Sequence, residues 1–501
     1  MANTNGAIAR ITKEIAQVQR GNDLSLAVAV KDSDVRNIRA LIIGPPETPY
    51  EYGFFEFECK MSKEYPIKSP HVRALTTNGG RTRFNPNIYA EGKVCLSILG
   101  TWRGYVRGDA RRRTFTDCSD SEPGEQWSSA QGLESVLLSI QSLMSSNPYE
   151  NEPGFEAHKK DQPRPKAYAE KIRHETIRIS IVERLENLLG LGTARGSYAP
   201  LPKKARTEGS FSPSKQTTAQ AAEASSSGES TPVTEPSVYE YDADAAFNAL
   251  EAAKWDPFAD LIKRRFLWYY DSYVATVTEG AKNHKAGEPF EMAQFEYGSN
   301  TMSGQYDYPT LKKRLEAIKL ALEDEEKNWV KAGVRQVSDA TQQANMLAFQ
   351  FKQLEHQWNE RSYFDSSRLQ ISLPSPQNPF LWHLTLFGKP MTNLDGGIWN
   401  MHLFIPPKFP EIQPRLRFLT PIFHHRMSKD GVLCYFPKHD HEIASHLDAI
   451  VQSVDDVDPI FDPRAVLDPE AFGLYWGGEE KRKVYSRRLR RSAQDSSEFP
   501  G

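Results

Sequence analysis

Ile8, Ile11, Ile15 and Val18 recur three and four residues apart, which places one apolar stripe on a helix over residues 7–20. Short runs rich in Leu, Ile, Val and Ala at 24–30 and 38–43 read as strands, as does the Phe-rich run 54–59. Between them, Pro45, Pro46 and Pro49 lack the N–H that a ladder needs, so 44–50 reads as a turn. Tyr65-Pro66 ends that region. A helical face returns within 128–146 at Leu133, Val136, Leu137, Ile140, Leu143 and Met144. Helix, antiparallel strands, a long loop region and a second helix make an α+β domain.

The same order recurs in the second half. Phe351, Leu354 and Trp358 repeat the first helical stripe, Gly388-Lys389-Pro390 repeats Gly44-Pro45-Pro46, and Gly397 repeats Gly53. Phe409-Pro410 and Pro414 stand at the same offset, 344 residues, from Tyr65-Pro66 and Pro70. By Phe423, Gly431 and Cys434, set against Phe84, Gly92 and Cys95, the offset is 339. A register that holds, shifts once and holds again indicates a duplicated domain. The first copy then carries five extra residues between Pro70 and Phe84, expected as a longer loop around Asn78-Gly79-Gly80.

Between the copies, 166–190 and 254–333 have helical periodicity, clearest at Leu311, Leu315, Ile318 and Leu322. Residues 192–238 are rich in Ser, Thr, Pro, Gly and Ala and poor in large apolar side chains, so a disordered linker is expected. A chain of 501 residues is itself too long for one core. The formal net charge of −3 gives no general case for binding nucleic acid or a membrane surface, and neither partner is expected. No apolar run is long enough to span a bilayer, and the first residues lack a basic stretch followed by an apolar run. The expectation is a soluble, reduced, cytoplasmic protein. Lys203-Lys204-Ala205-Arg206 is a candidate nuclear signal.

Cys59, Cys95, Cys118 and Cys434 lie far apart without a CxxC, which suggests neither a disulfide framework nor a zinc ribbon. His439, His441 and His446 lack a ligand set of recognised spacing and read as surface histidines, so no metal is expected. Cys59, on a strand, reads as a small buried hydrophobe. Cys95 differs. Its flanks contain no His or Asp to act as a nearby base, but a cysteine can also carry an acyl group received by exchange from an existing thioester. Such a site needs help when an amine attacks and an oxyanion develops, and one side-chain amide can supply it. Asn87, eight residues before Cys95, is the candidate.

These residues carry a resemblance. The turn 44–50, Tyr65-Pro66, Asn85-Pro86-Asn87 and Gly92-Lys93-Val94-Cys95-Leu96 resemble the ubiquitin-conjugating enzymes. That family's signature is His-Pro-Asn with the thioester cysteine eight residues after the Asn. Here Asn85 replaces the mainly structural His, which puts loop support in question. The strings 95–102, 139–144, 147–155, 172–178 and 269–273 resemble the large Z-type members. The resemblance implies the ubiquitin-conjugating fold, an antiparallel sheet with flanking helices, present twice and joined by a helical extension and a disordered linker. It implies a thioester on Cys95 with ubiquitin or a ubiquitin-like modifier, received from a ubiquitin-activating enzyme. A ubiquitin ligase and protein substrates follow as partners. No cofactor binds directly; ATP is used by the activating enzyme. Glu152 matches the family's acid that orients the incoming lysine. Residues 103–126 separate Trp102 from Trp127, both read as packing residues, and form an insertion that starts basic and ends acidic.

The second copy keeps His424 but has His425 and Arg426 where the family has Pro and Asn, which points to a degenerate domain kept for binding. The basic stretch Lys481–Arg491 reads as the solvated face of a terminal helix. The expected organisation is a catalytic domain at 6–158, helical extension at 159–191 and 254–335 around a mostly disordered linker at 192–253, and a divergent conjugating-type domain at 339–495. The alternative is a non-catalytic scaffold that binds ubiquitin or a ligase.

Overall fold

The computed structural model describes residues 2–21, 23–101, 126–191, 255–297, 301–364, 368–456 and 458–498. The expected linker at 192–253, the basic stretch at 203–206, Trp102, Cys118 and the insertion up to residue 125 lie outside these residues.

Helix α1 (Ala2–Arg20) lays Ile11, Ile15 and Val18 on the inner face of a four-stranded antiparallel sheet, with Ile8 left exposed at the rim. The strands β1 (Leu26–Lys31), β2 (Asp34–Ile43), β3 (Phe54–Lys60) and β4 (His71–Ala74) lie in chain order. Helix α2 (Leu133–Ser142) closes this core with Leu133, Val136, Leu137 and Ile140. Its first N–H groups have no helical partner. Buried Glu14 of α1 accepts the Leu133 N–H at 3.0 Å and a bond from the Tyr65 hydroxyl.

The outer face of this sheet is also covered. Helix α3 (Pro163–Glu175) continues through a π-helical run (Thr176–Glu183) into α4 (Arg184–Leu189). Ile177, Ile181 and Leu185 pack in one cluster with Leu41, Ile43 and Phe54. Helices α5 (Ala259–Asn283) and α6 (Tyr308–Ser338) add Phe266, Tyr269, Leu311, Leu315, Ile318 and Leu322. The helical extension is thus a packed layer, as its periodicity predicts.

The second unit consists of α7 (Gln342–Phe364), β5 (Leu369–Ser372), β6 (Leu381–Phe387), β7 (Ile398–Phe404), β8 (Arg415–Phe418), α8 (Ile443–Asp455), α9 (Pro469–Trp476) and α10 (Glu479–Ser496). Its sheet has the same antiparallel order. Ile43 pairs with Phe54 and Phe387 with Ile398; Lys60 pairs with His71 and Phe404 with Arg415. The fold is therefore two α+β units with a helical layer between them in sequence.

The single register break is visible in hydrogen bonds. Leu75 N–H bonds Glu56 and Leu419 N–H bonds Asn400, still at the first offset, while Ile88 bridges Val94 and Met427 bridges Leu433 at the second. The extra residues thus fall after Leu75, in the loop where Asn78, Gly79 and Gly80 all have positive φ. Gly92 and Gly431 explain one matched glycine. Both have positive φ, and a Cβ would meet the carbonyl oxygen of Ala74 at 2.5 Å or of Phe418 at 2.3 Å.

One joint binds all three parts. Tyr52 of the first unit stacks on Tyr269 of α5, and their hydroxyls donate to the carbonyls of Pro463 and Arg464 in the second unit. Buried ion pairs support it: Glu325 of α6 takes Lys263 and Arg415, each at 2.5 Å, and Glu326 takes Arg417 at 2.8 Å.

Candidate active site

The loop between Asn85 and Cys95 is a narrow bridge. Tyr89 N–H bonds the Lys93 carbonyl, and Cys95 N–H bonds the Asn87 carbonyl at 2.8 Å. Asn87 returns the contact: its Nδ2 donates to the Cys95 carbonyl at 2.9 Å. The sequence-predicted pair is therefore brought together by two bonds. An amide nitrogen carries two N–H groups. One is committed to Cys95, which leaves the other for a developing oxyanion. Asn87 Oδ1 has no hydrogen-bond partner among the described residues.

Asn85 supports this loop in the place of the family's His. Its Oδ1 accepts the Asn87 N–H at 2.9 Å, and its Nδ2 donates to Leu143 O at 2.8 Å and to the Tyr50 hydroxyl at 3.0 Å. In the second copy, His424 Nδ1 accepts the Arg426 N–H at 3.1 Å. The two side chains make the same bond, so the loss of the His leaves loop support intact.

Three further groups surround the Cys95 thiol that the linear motif does not reveal. Tyr89 and the cations Lys93 and Arg83 stand near the sulfur. Burial pushes the thiol up from its ordinary value; Lys93, Tyr89 and Arg83 oppose that shift. Arg83 also holds Glu152 Oε2 at 3.1 Å, which connects the candidate acid to this cluster. A groove of about 780 Å3 runs past Lys93, Val94 and Ser97 to Arg73, Lys68 and Trp127. Trp127 is a packing residue there, its Nε1 bonded to the Pro66 carbonyl at 2.8 Å. Cys59 is fully buried on β3, its thiol pushed up to about 12 by burial.

Cys434 repeats the backbone but not the environment. Its N–H bonds the Arg426 carbonyl at 2.9 Å, as Cys95 does with Asn87. Its side chain, however, is fully buried in the cluster that holds Tyr269, Val432 and Leu467, and burial pushes its thiol up to about 12. The Arg426 guanidinium pairs with Asp456 at 3.3 Å. His425 is stacked on Tyr475, ring centroids 4.0 Å apart.

His446 departs from the expectation of a surface histidine. It is buried on α8, bonded to the Tyr435 hydroxyl and the Asp440 carbonyl, because its position falls on that helix's apolar face. His439 and His441 are exposed. Among the described residues, no three His, Cys, Asp or Glu side chains gather to hold a metal, and no helix is long and apolar enough to cross a membrane. The basic face of α10 is largely occupied within the chain: Arg488 with Glu470, Lys483 with Glu480 and Arg490 with Asn393.

The family model for ubiquitin-conjugating enzyme matches residues 10–176 and again 352–485, together more than half of the chain. The chain belongs to the ubiquitin-conjugating enzyme family. Within it, Ubiquitin-conjugating enzyme E2 Z of Xenopus tropicalis is 45% identical over 185 residues, 36% of this chain and 52% of that protein. The Homo sapiens protein of the same name is 44% identical over 179 residues, 35% of this chain and 44% of that protein. The matched region spans about half the length of these curated relatives. The solved ubiquitin-conjugating enzyme E2 domain from Toxoplasma gondii is 25% identical and covers 34% of this chain and 97% of its own, at a TM-score of 0.25. The family model's two matches fall one on each copy.

Proposed function

We propose that this chain accepts ubiquitin or a ubiquitin-like modifier as a thioester on Cys95 and passes it to a lysine of a protein substrate presented by a ubiquitin ligase. The activating enzyme spends ATP to form its own thioester. The Cys95 thiolate attacks that carbonyl, the new C–S bond forms as the old one breaks, and the activating enzyme's cysteine leaves as its thiolate. A neutral lysine amine then attacks. Its C–N bond forms, the oxyanion collapses, the bond to Cys95 breaks, and the proton lost by the amine balances the one regained by the thiol. No cofactor on this chain is required.

The observation that carries this reading is the doubly bonded Asn87–Cys95 pair, with one N–H of the Asn87 amide uncommitted. Family membership supports the same chemistry. The burial of Cys434 favours a second reading for the other half alone: a conjugating-type fold kept for binding and for packing against the helical layer.

The test mixes the protein with an activating enzyme, ATP and ubiquitin, and runs gels with and without reductant for wild type, Cys95→Ala and Cys434→Ala. A reductant-sensitive adduct lost only in Cys95→Ala is expected. No adduct across a panel of activating enzymes and modifiers would sink the enzymatic reading, and an adduct lost only in Cys434→Ala would reverse the two halves.

A further inference from the structure

We propose that Arg83 is a positioning residue for the transfer step, clamped from behind by Phe295 and Met302 of the connection between α5 and α6, and that it aligns Tyr89 and Glu152 about the Cys95 thiol. The proposal rests on the reading of Cys95 as the thioester carrier.

Arg83 lies two residues before Asn85 and is only 4% exposed. Its guanidinium converges on three groups. It donates to the Pro86 carbonyl, next to Asn87, and to Glu152 Oε2 at 3.1 Å. Its carbon lies 4.6 Å from the centre of the Tyr89 ring, within cation–π range. The Tyr89 hydroxyl in turn stands near the Cys95 sulfur and acts on its thiol. One planar fork therefore ties together the loop that carries Asn87, the Tyr89 ring near the nucleophile, and the acid. A lysine ammonium, being a point charge, cannot hold all three in fixed directions.

The clamp behind it comes from more than two hundred residues away in sequence. The Arg83 backbone N–H is bonded to Met302 Sδ at 3.1 Å, and the Phe295 ring lies 5.9 Å from the guanidinium. Phe295 packs among Tyr149, Phe155 and Tyr168. The segment is fixed by Lys171, whose Nζ meets both oxygens of Glu296 at 2.6 Å, fully buried. Removing one partner of such a pair strands a buried charge, so the segment is held firmly. Phe295 and Met302 thereby join the helical layer to the reacting centre at Arg83.

Charge gives Arg83 a second task. Glu152 is partly buried, and burial pushes its carboxyl up while Arg83 pulls it down. The groups facing this cluster are Arg83, Tyr89 and Tyr168 around Glu152, and Lys93, Tyr89 and Arg83 around Cys95. Without the guanidinium, burial acts on Glu152 unopposed and it takes up a proton at higher pH. An ionised carboxylate can orient an incoming amine through its N–H groups; a protonated one does so poorly.

The experiment uses the full chain, charged with ubiquitin and then discharged to free lysine in single turnovers across pH 6–9. The variants are Arg83→Lys, Arg83→Met, Glu152→Gln and the Arg83→Met/Glu152→Gln pair. Discharge by Arg83→Met should fall about tenfold or more beyond any loss in charging, with Arg83→Lys intermediate. Its acid limb should move to higher pH, Glu152→Gln should lack that limb, and the pair should match Glu152→Gln in profile. Charging and discharge falling by one factor, in step with the melting temperature, would show a structural role only and overturn the proposal. So would an unmoved pH profile. Failure of the wild type to charge at all would instead remove the reading on which it rests.

Discussion

Tyr52 lies flat on Tyr269, ring centroids 4.1 Å apart and 6° from parallel, and the two hydroxyls donate to the adjacent carbonyls of Pro463 and Arg464 at 3.2 and 2.8 Å. Tyr52 holds this place with a φ of +53°, while Gly396, at the same position in the second copy, has +79°. A bulky residue in the left-handed region costs about 1–2 kcal/mol. The first copy sustains that strain where the second uses glycine, because only the first needs an aromatic ring at the junction.

Replacing Tyr52 by Gly weighs these effects directly. Loss of the buried ring should cost about 3–5 kcal/mol, and relief of the backbone should return about 1–2 kcal/mol. The net is a loss of about 1–4 kcal/mol, readable as a lower urea midpoint. An unchanged midpoint would mean the stack contributes nothing beyond the strain it sustains.

Asn87→Ala should leave thioester formation largely intact and slow discharge to lysine by about a hundredfold or more. Asn87→Asp, of equal size but with no N–H to offer when ionised, should be at least as slow. Single-turnover discharge of the purified thioester measures both. Fast transfer by Asn87→Asp would rule out the amide as the oxyanion donor.

His424 makes the second copy sensitive to acid. Burial and Arg426 hold its imidazole down to about 3, whereas an unfolded histidine titrates near about 6.5. Between these values the unfolded chain binds a proton that the folded chain refuses. Stability is therefore complete above about 6.5 and falls as the pH drops toward about 3. His425, driven lower still by burial, His424 and Arg426, acts in the same direction. Asn85 does the equivalent work without a proton. His424→Asn should thus reduce the loss of stability between pH 7 and pH 5 by about 2 kcal/mol, measured by chemical denaturation at the two values. An identical loss in variant and wild type would contradict the assignment.

Of the three described cysteines, only Cys95 should react with iodoacetamide at pH 8 in the native protein. Cys59 and Cys434 are fully buried with thiols near about 12, and should label only in denaturant. Peptide mass spectrometry at timed points gives the order. Labelling of Cys434 as fast as Cys95 would mean that its cover opens readily.

Much of this was legible because periodicity and spacing are local. The stripe at Ile11, Ile15 and Val18, the strand runs, and the eight-residue step from Asn87 to Cys95 all appear in the fold as read. β4 was not, because His71–Ala74, directly after Pro70, alternates over only four residues, too short a run to stand out. Arg83, Tyr89 and Met302 were missed for a different reason. Their roles arise where separate elements converge, although Tyr89 two residues after Asn87 and Arg83 two before Asn85 were hints. The covered state of Cys434 was equally invisible, since α5 and Leu467 close over it from distant parts of the chain.

The outer face of the first sheet has a consequence for how the chain is made. Most of its inner core is in place once α2 has been synthesised, with Tyr168, Ile172, Phe295 and Met302 joining later, but Leu41, Ile43 and Phe54 wait for the α3–α4 helix, and the far side of that helix waits for α5 and α6. At about 5–20 residues per second, the interval from Leu189 to Leu322 lasts on the order of ten seconds or more. Throughout it the ribosome displays a finished sheet beneath a half-covered apolar helix. A nascent chain stalled before α5 is therefore the species most exposed to aggregation and most in need of a chaperone.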